Sequence, residues 1–191
     1  KNKSTALSPM MALAKKLKHD HPDHGIVFIG PCVAKKQEAM SELTPVDYVL
    51  TFEETVALFA AKGIVPAEVK VDNPEDYPSN YGRNFAHSGG VAAAVSEACK
   101  ERGDEPFTFA AANGASECKK QLMLMKFGKF NADILEGMCC EGGCIAGPGT
   151  VQDANIARAR MMKENKEMDQ KTINDSLELF KVKDFDIHIH K

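Results

Sequence analysis

Two rhythms of apolar residues alternate along the chain. Ile26 to Ile29, Tyr48 to Leu50, Phe107 to Ala112 and Ala132 to Leu135 are short, apolar-rich runs of the kind that form buried strands. Between them the apolar residues recur at helical spacing. Ser8-Pro9 supplies a hydroxyl cap and a proline for the first helical position, and Met10, Leu13, Ala14 and Leu17 then share a face. Val33 to Met40 predicts a second helix. Thr51 and Glu54 make a capping box for a third, Phe52 to about Lys62, stopped by Gly63. Ser88-Gly89-Gly90 opens a fourth, with Val91, Ala94, Val95 and Ala98 as its buried face and a stop near Gly103. A helix over Ser116 to about Met125 follows, then polar helices over Val151 to Lys166 and Thr172 to Val182. Residues 65–83 carry three prolines and read as a long connection.

Short strands alternating with helices predict an α/β fold, with a mainly parallel sheet or sheets flanked by helices. Such sheets hold their ligands outside the carboxyl ends of the strands. At 191 residues and 43% hydrophobic content, the chain suits one larger domain or two small lobes around a proper core. Its 24 basic and 27 acidic residues are interleaved and leave a formal charge of -3, so no basic stripe announces nucleic acid. No apolar run approaches the roughly 18–20 residues that span a bilayer. Lys1-Asn2-Lys3-Ser4-Thr5 leads into no signal-peptide core. A soluble, cytoplasmic protein without nucleic-acid or membrane partners is expected. Lys1 to Leu7 reads as the middle of a longer sequence.

Chemistry enters with the six cysteines, three of which fall within Cys139-Cys140-Glu141-Gly142-Gly143-Cys144. Another, Cys32, lies in Gly30-Pro31-Cys32-Val33-Ala34-Lys35. Both segments follow strand-like runs, so the fold carries them toward one ligand-binding edge. Clustering and the absence of a secretion signal favour reduced, metal-binding thiols over disulfides. Soft thiolates suit iron, and glycines beside them let the backbone approach an inorganic cluster and donate N–H bonds to it. Cys140-x-x-x-Cys144 is one residue longer than the ferredoxin spacing, so other readings stay open: packing thiols, or a redox or zinc module built from Cys139, Cys140 and Cys144. Cys99 and Cys118 fall on predicted helices away from both segments and read as packing thiols. Cys139 reads as packing too, with oxidation to Cys140 as an artefact to watch for. His19, His21 and His24 cluster at a helix end, where the helix C-terminus accounts for them. His87 reads as a turn residue, and His188 and His190 belong to a terminal strand or tail.

Taken together, these segments resemble the C-terminal, H-cluster region of the iron-only ([FeFe]) hydrogenases. Pro31-Cys32-Val33-Ala34-Lys35-Lys36-Gln37-Glu38 matches that family's Pro-Cys-x-x-Lys-x-x-Glu segment, and Glu136 to Cys144 matches its Glu-x-Met-x-Cys-x-x-Gly-Cys segment. Tyr48-Val49-Leu50-Thr51 and Ser88-Gly89-Gly90-Val91 add weaker similarity, and the resemblance runs from about Ser4 to Gly149. It implies that Cys32 and Cys140 ligate a [4Fe–4S] cubane. Cys144 would bridge it to a two-iron subsite bearing CO, cyanide and a dithiolate. Lys35 would hydrogen-bond a cyanide, and Met138 would pack over the subsite. The implied activity is reversible oxidation of dihydrogen to protons and electrons, or hydrogen sensing, with a ferredoxin or an electron-carrier domain as partner. The implied fold has the cluster between lobes at about 1–83 and 84–150, followed by a helical segment over 151–191.

Departures from the family pattern carry their own implications. The Thr-Ser-Cys-Cys-Pro segment is missing and is expected upstream of Lys1, in an N-terminal part that supplies the remaining cubane ligand. The isolated chain is therefore expected to hold no cofactor and to be inactive. Gly30 stands where a methionine is usual and Met10 where a glutamine is usual, which implies an altered subsite pocket and the divergent, sensory branch. The alternative is a non-catalytic α/β regulatory or interaction domain that keeps the fold.

Overall fold

The computed structural model describes residues 3–70, 78–168 and 170–189. Part of the proline-rich connection, residues 71–77, lies outside them, as does His190. Helix α1 (Pro9–Asp20) begins where expected, with the Ser8 hydroxyl accepting from Met11 N. Strand β1 (Val27–Ile29) leads through the Cys32 turn into α2 (Ala34–Ala39), and β2 (Tyr48–Leu50) leads into α3 (Phe52–Ala61). Next come α4 (Asn80–Arg83), one short turn within the expected connection, and α5 (Gly90–Arg102). Strand β3 (Phe109–Asn113), α6 (Ala115–Lys126) and β4 (Ile134–Met138) form a βαβ unit. Helices α7 (Ala154–Glu167) and α8 (Ile173–Leu179) follow.

The sheets are parallel, as expected, and among the described residues there are two. β1 pairs with β2 in the register Val27↔Tyr48, and β3 pairs with β4 in the register Phe109↔Ile134 through Asn113↔Met138. Each ladder is continued past its carboxyl end. Gly30 N donates to Leu50 O at 3.0 Å, and Gly114 N donates to Met138 O at 2.8 Å. Both cysteine segments therefore leave the same kind of sheet edge, the one at which open parallel sheets bind ligands.

Met10, Met11, Ala14 and Val46 form a buried core, with Leu7, Ile26, Phe28, Ala39 and Val49 packed against it. The buried stripe of α1 is turned relative to the expected one: Met11 is buried, whereas Leu13 is 55% exposed. Contacts at the helix entry set that rotation. Ala6 bridges His188 antiparallel, Leu7 N donates to Ile187 O, and the Ser8 hydroxyl donates to Glu38. Met10 belongs to this core at 4% exposure, with Phe28, the residue beneath Gly30, packed against it. On α5, too, Ala92 and Ala94 are buried rather than the whole predicted face. Gly90 there lies so close to Asn84 O that a Cβ would stand 1.8 Å from it.

The α3 capping box is formed as expected, with Glu54 N donating to Thr51 Oγ1 at 3.1 Å and Thr51 N to Glu54 Oε2 at 2.7 Å. The Lys36 ammonium also binds Glu54, tying α2 to α3. These bonds, that from Lys36 foremost, pull the Glu54 carboxyl down to about 2 from an ordinary 4.5. A carboxyl depressed in the folded state stabilises above its unfolded pKa and loses that contribution as pH falls through the folded value. Urea titrations of Glu54→Gln are expected to show less loss of stability than wild type between pH 4.5 and pH 2; parallel acid limbs would refute the coupling.

Candidate metal centre

From the end of β1, the segment Gly30-Pro31-Cys32 turns tightly over Phe28, whose ring lies 2.7 Å from where a Gly30 Cβ would be. Phe28 thus fills the space that a larger residue at position 30 would claim. From the end of β4, Cys139 to Gly149 forms a glycine-rich loop in which Gly143 N donates to Cys140 O at 3.0 Å. A short 3-10 turn, Cys144–Ala146, follows. The loop is pinned on three sides. Asn113 Oδ1 accepts from Gly142 N at 2.7 Å, Ser88 N donates to Gly142 O at 3.4 Å, and Gly149 N donates to Pro31 O at 3.0 Å.

Two glycines make that closure sterically feasible. Gly143 has φ 92° and ψ -163°, a region that side-chain-bearing residues scarcely enter, and a Cβ there would meet His87 Cα at 2.5 Å. A Cβ on Gly147 would stand 2.6 Å from Pro31 O, so the turn that carries Cys144 lies directly on the turn that carries Cys32. The structure therefore brings Cys32, Cys140 and Cys144 together.

Their electrostatics agree with that placement. Burial pushes the Cys140 thiol up, and Cys139 and Cys32 push it further. Cys144 has an exposed surface, yet the atoms packed around its sulfur push its thiol up, with Cys32 and Cys140 adding to the rise and Lys35 opposing it. Thiols that raise one another's pKa converge as thiolates only when a cation offsets their charge. Among the described residues no three His, Cys, Asp or Glu side chains close on one point as the ligands of a single ion would. Soft thiol donors set on a glycine-rich backbone are chemically suited to an iron–sulfur cluster.

Lys35, in the first turn of α2, pairs with Glu38, and the Ser8 hydroxyl also donates to Glu38. Burial acts to raise the Glu38 carboxyl, but the bonds from Lys35 and Ser8 outweigh it and hold the group below its ordinary value. Lys35 is thereby held beside Cys144 by a carboxylate and a hydroxyl that the motif alone does not reveal.

β4 extends further than the pattern of apolar residues suggests, so Glu136 and Met138 are strand residues that share one side of the sheet. Glu136 is 7% exposed, and its two oxygens accept from Gly89 N at 2.8 Å and Ala92 N at 2.7 Å. It caps α5 from another strand, at a helix start where Gly89 has no side chain to do so. The one sequence cue was a glutamate in an apolar strand facing a helix that opens on two glycines. Hydrogen bonds to a charged acceptor contribute about 1.5–3 kcal/mol each, so Glu136→Ala is expected to cost about 3 kcal/mol in urea unfolding. A loss below roughly 0.5 kcal/mol, the range of an ordinary surface change, would refute the cap.

His87 sits in the turn before α5, as expected, but its Nε2 is buried without a hydrogen-bond partner. It lines a cavity of about 420 Å³ with Asn80, Asn84, Met162 and Asn165. Burial first, then Arg158, lowers the His87 pKa, with Glu136 opposing. Cys118 is not remote from the cysteine loop: its thiol donates to Met138 O at 3.5 Å. Cys99 lies on α5. His19 packs edge-on against Phe185, and His21 against His24.

A family model described as the C-terminal domain of the iron only hydrogenase large subunit matches residues 1–148. No curated protein matches the chain. Among solved structures, [FeFe]-hydrogenase HydA1 from Chlamydomonas reinhardtii superimposes with a TM-score of 0.70 at 20% identity, over 95% of this chain and 65% of that one. A HydA structure concerned with stepwise H-cluster assembly gives a TM-score of 0.69 at 20% identity, with the same coverage. One concerned with oxygen inactivation through the 2Fe subcluster gives 0.71, again at 20% identity, 95% and 65%. The chain spans about two thirds of the length of these structures, and the likeness extends to their fold. No helix among the described residues is long and apolar enough to cross a membrane.

Proposed function

The chain belongs to the iron-only hydrogenase family, as a C-terminal domain of its large subunit, and on that premise we propose that it supplies three thiol ligands of an H-cluster in a protein that reacts with dihydrogen. Cys32 and Cys140 would hold a [4Fe–4S] cubane, and Cys144 would join it to a two-iron group. The group, when bound, supplies the redox chemistry that interconverts dihydrogen with protons and electrons. The residues of the chain bind and position. Gly143 and Gly147 let the loop close on the Pro31–Cys32 turn, and Glu136 fixes the strand that delivers Cys140. Lys35, anchored by Glu38, places a cation next to Cys144, where an anionic ligand would be stabilised by a charge-assisted bond. Met138 would cover the two-iron group from the strand end.

The observation that carries this reading is the direct packing of the Cys144 turn on the Cys32 turn. Gly30, whose side-chain space Phe28 occupies, supports a sensory rather than a high-turnover role. A fourth ligand and an electron-carrier partner would come from outside this chain. The test is anaerobic maturation of the complete protein, followed by infrared spectroscopy and a hydrogen–deuterium exchange assay. Bound CO and cyanide bands with slow exchange are expected. A stable cubane without those bands would indicate the regulatory reading instead, and stoichiometric zinc would overturn both.

A further inference from the structure

Successive residues of β4 point to opposite sides of the sheet. Glu136 faces the start of α5, so Gly137 faces α6, where a Cβ on it would lie 3.3 Å from Cys118 Sγ. The Cys118 thiol donates to Met138 O at 3.5 Å and to Ala112 O at 3.7 Å. Met138 O belongs to the peptide group that leads into Cys139, so the Cys118 sulfur rests against the backbone from which the Cys139 side chain departs. Both cysteines are free, and both line one open cavity of about 430 Å³. Leu122 and Met123 form its apolar wall, and Lys119 and Lys126 give it positive charge. None of this involves Cys32, Cys140 or Cys144.

We propose that Cys118 and Cys139 form a dithiol site that reacts with a low-molecular-weight disulfide, such as oxidised glutathione, and closes to an intramolecular disulfide. One protein thiolate attacks a sulfur of the reagent, releasing one glutathione thiol and leaving a mixed disulfide. The second protein thiol attacks that mixed disulfide and releases the second glutathione. The two protein thiols give up two electrons and two protons, and these leave on the two glutathione thiols. Access and charge favour this pair. Cys139 is exposed, and the two lysines attract the carboxylates of an anionic reagent. The crosslink would tie α6 to the strand end that leads into Cys140.

The test is a redox titration of the purified protein. It is equilibrated anaerobically with graded ratios of reduced to oxidised glutathione, alkylated, digested and mapped by mass spectrometry. The expected result is a peptide pair joined through Cys118 and Cys139, with the loss of two alkylatable thiols in one two-electron step. Cys139→Ser is expected to carry glutathione on Cys118 without a crosslink, and Cys118→Ser to carry it on Cys139. A wild-type map in which Cys139 joins Cys140 or Cys144, or in which Cys118 stays alkylated while Cys139 retains glutathione, would overturn the proposal. The wild-type map decides the matter even if a serine variant folds poorly.

Discussion

Cys144→Ala in the complete protein is expected to remove the CO and cyanide infrared bands while sparing part of the cubane's electron paramagnetic signal. Cys140→Ala is expected to abolish both. The difference follows from where the two thiols sit. Cys140 leaves the end of β4 and, in the proposed assignment, holds the cubane together with Cys32 at the end of β1. Cys144 lies on the following 3-10 turn, within the field of Lys35. Removing Cys144 deletes the link on the lysine side and leaves the two strand-end thiols in place. Removing Cys140 would take away a corner of the proposed cubane, on which the two-iron group would also depend. Equal loss of both signals from the two substitutions would refute this division of roles.

Gly143→Ala is expected to be among the most damaging small changes in the chain. Its backbone conformation, φ 92° and ψ -163°, alone costs a side-chain-bearing residue on the order of 1–3 kcal/mol. The added carbon would also stand 2.5 Å from His87 Cα and 2.6 Å from Ser88 N. These are backbone atoms, held in turn by the Glu136 cap of α5, so they cannot step aside as a flexible side chain would. A loss of about 3 kcal/mol or more is expected, which for a domain of this size lowers Tm by about 6–12 °C. Iron uptake should fall with it, because the Cys144 turn would no longer reach Pro31. Gly25→Ala is the control: its nearest neighbour is Asp47 Oδ2 at 3.8 Å, and little change is expected. Matching melting curves for Gly143→Ala and wild type would contradict the packing described here.

What the sequence disclosed and what it hid have distinct physical causes. Local signals were legible: the Ser8-Pro9 start, the Thr51–Glu54 box and the glycine stops depend on residues a few positions apart. The two cysteine segments stood out through their resemblance to family motifs, since their spacing alone left other readings open, and the parallel pairing followed from strand–helix alternation. Contacts made across the fold were not legible. The rotation of α1 depends on a bridge between Ala6 and His188, far apart in the chain. Glu136 looked like part of a metal motif, yet its oxygens hold a helix 44 to 47 residues earlier in the chain. Cys118 looked remote because helical periodicity says nothing about which strand lies beneath it. Val46, which shares the core with Met10, comes from a segment more than thirty residues away, which helical spacing does not disclose.

The central claim is that Cys32, from one sheet, and Cys140 and Cys144, from the other, serve a single inorganic centre. Its most direct test is the low-temperature electron paramagnetic resonance spectrum of the complete protein after anaerobic reconstitution with iron and sulfide, recorded for wild type and for Cys32→Ala/Cys140→Ala. Wild type is expected to give the signal of a reduced cubane, and the double variant to give none. A cubane signal of undiminished intensity in the double variant would show that the iron is held elsewhere.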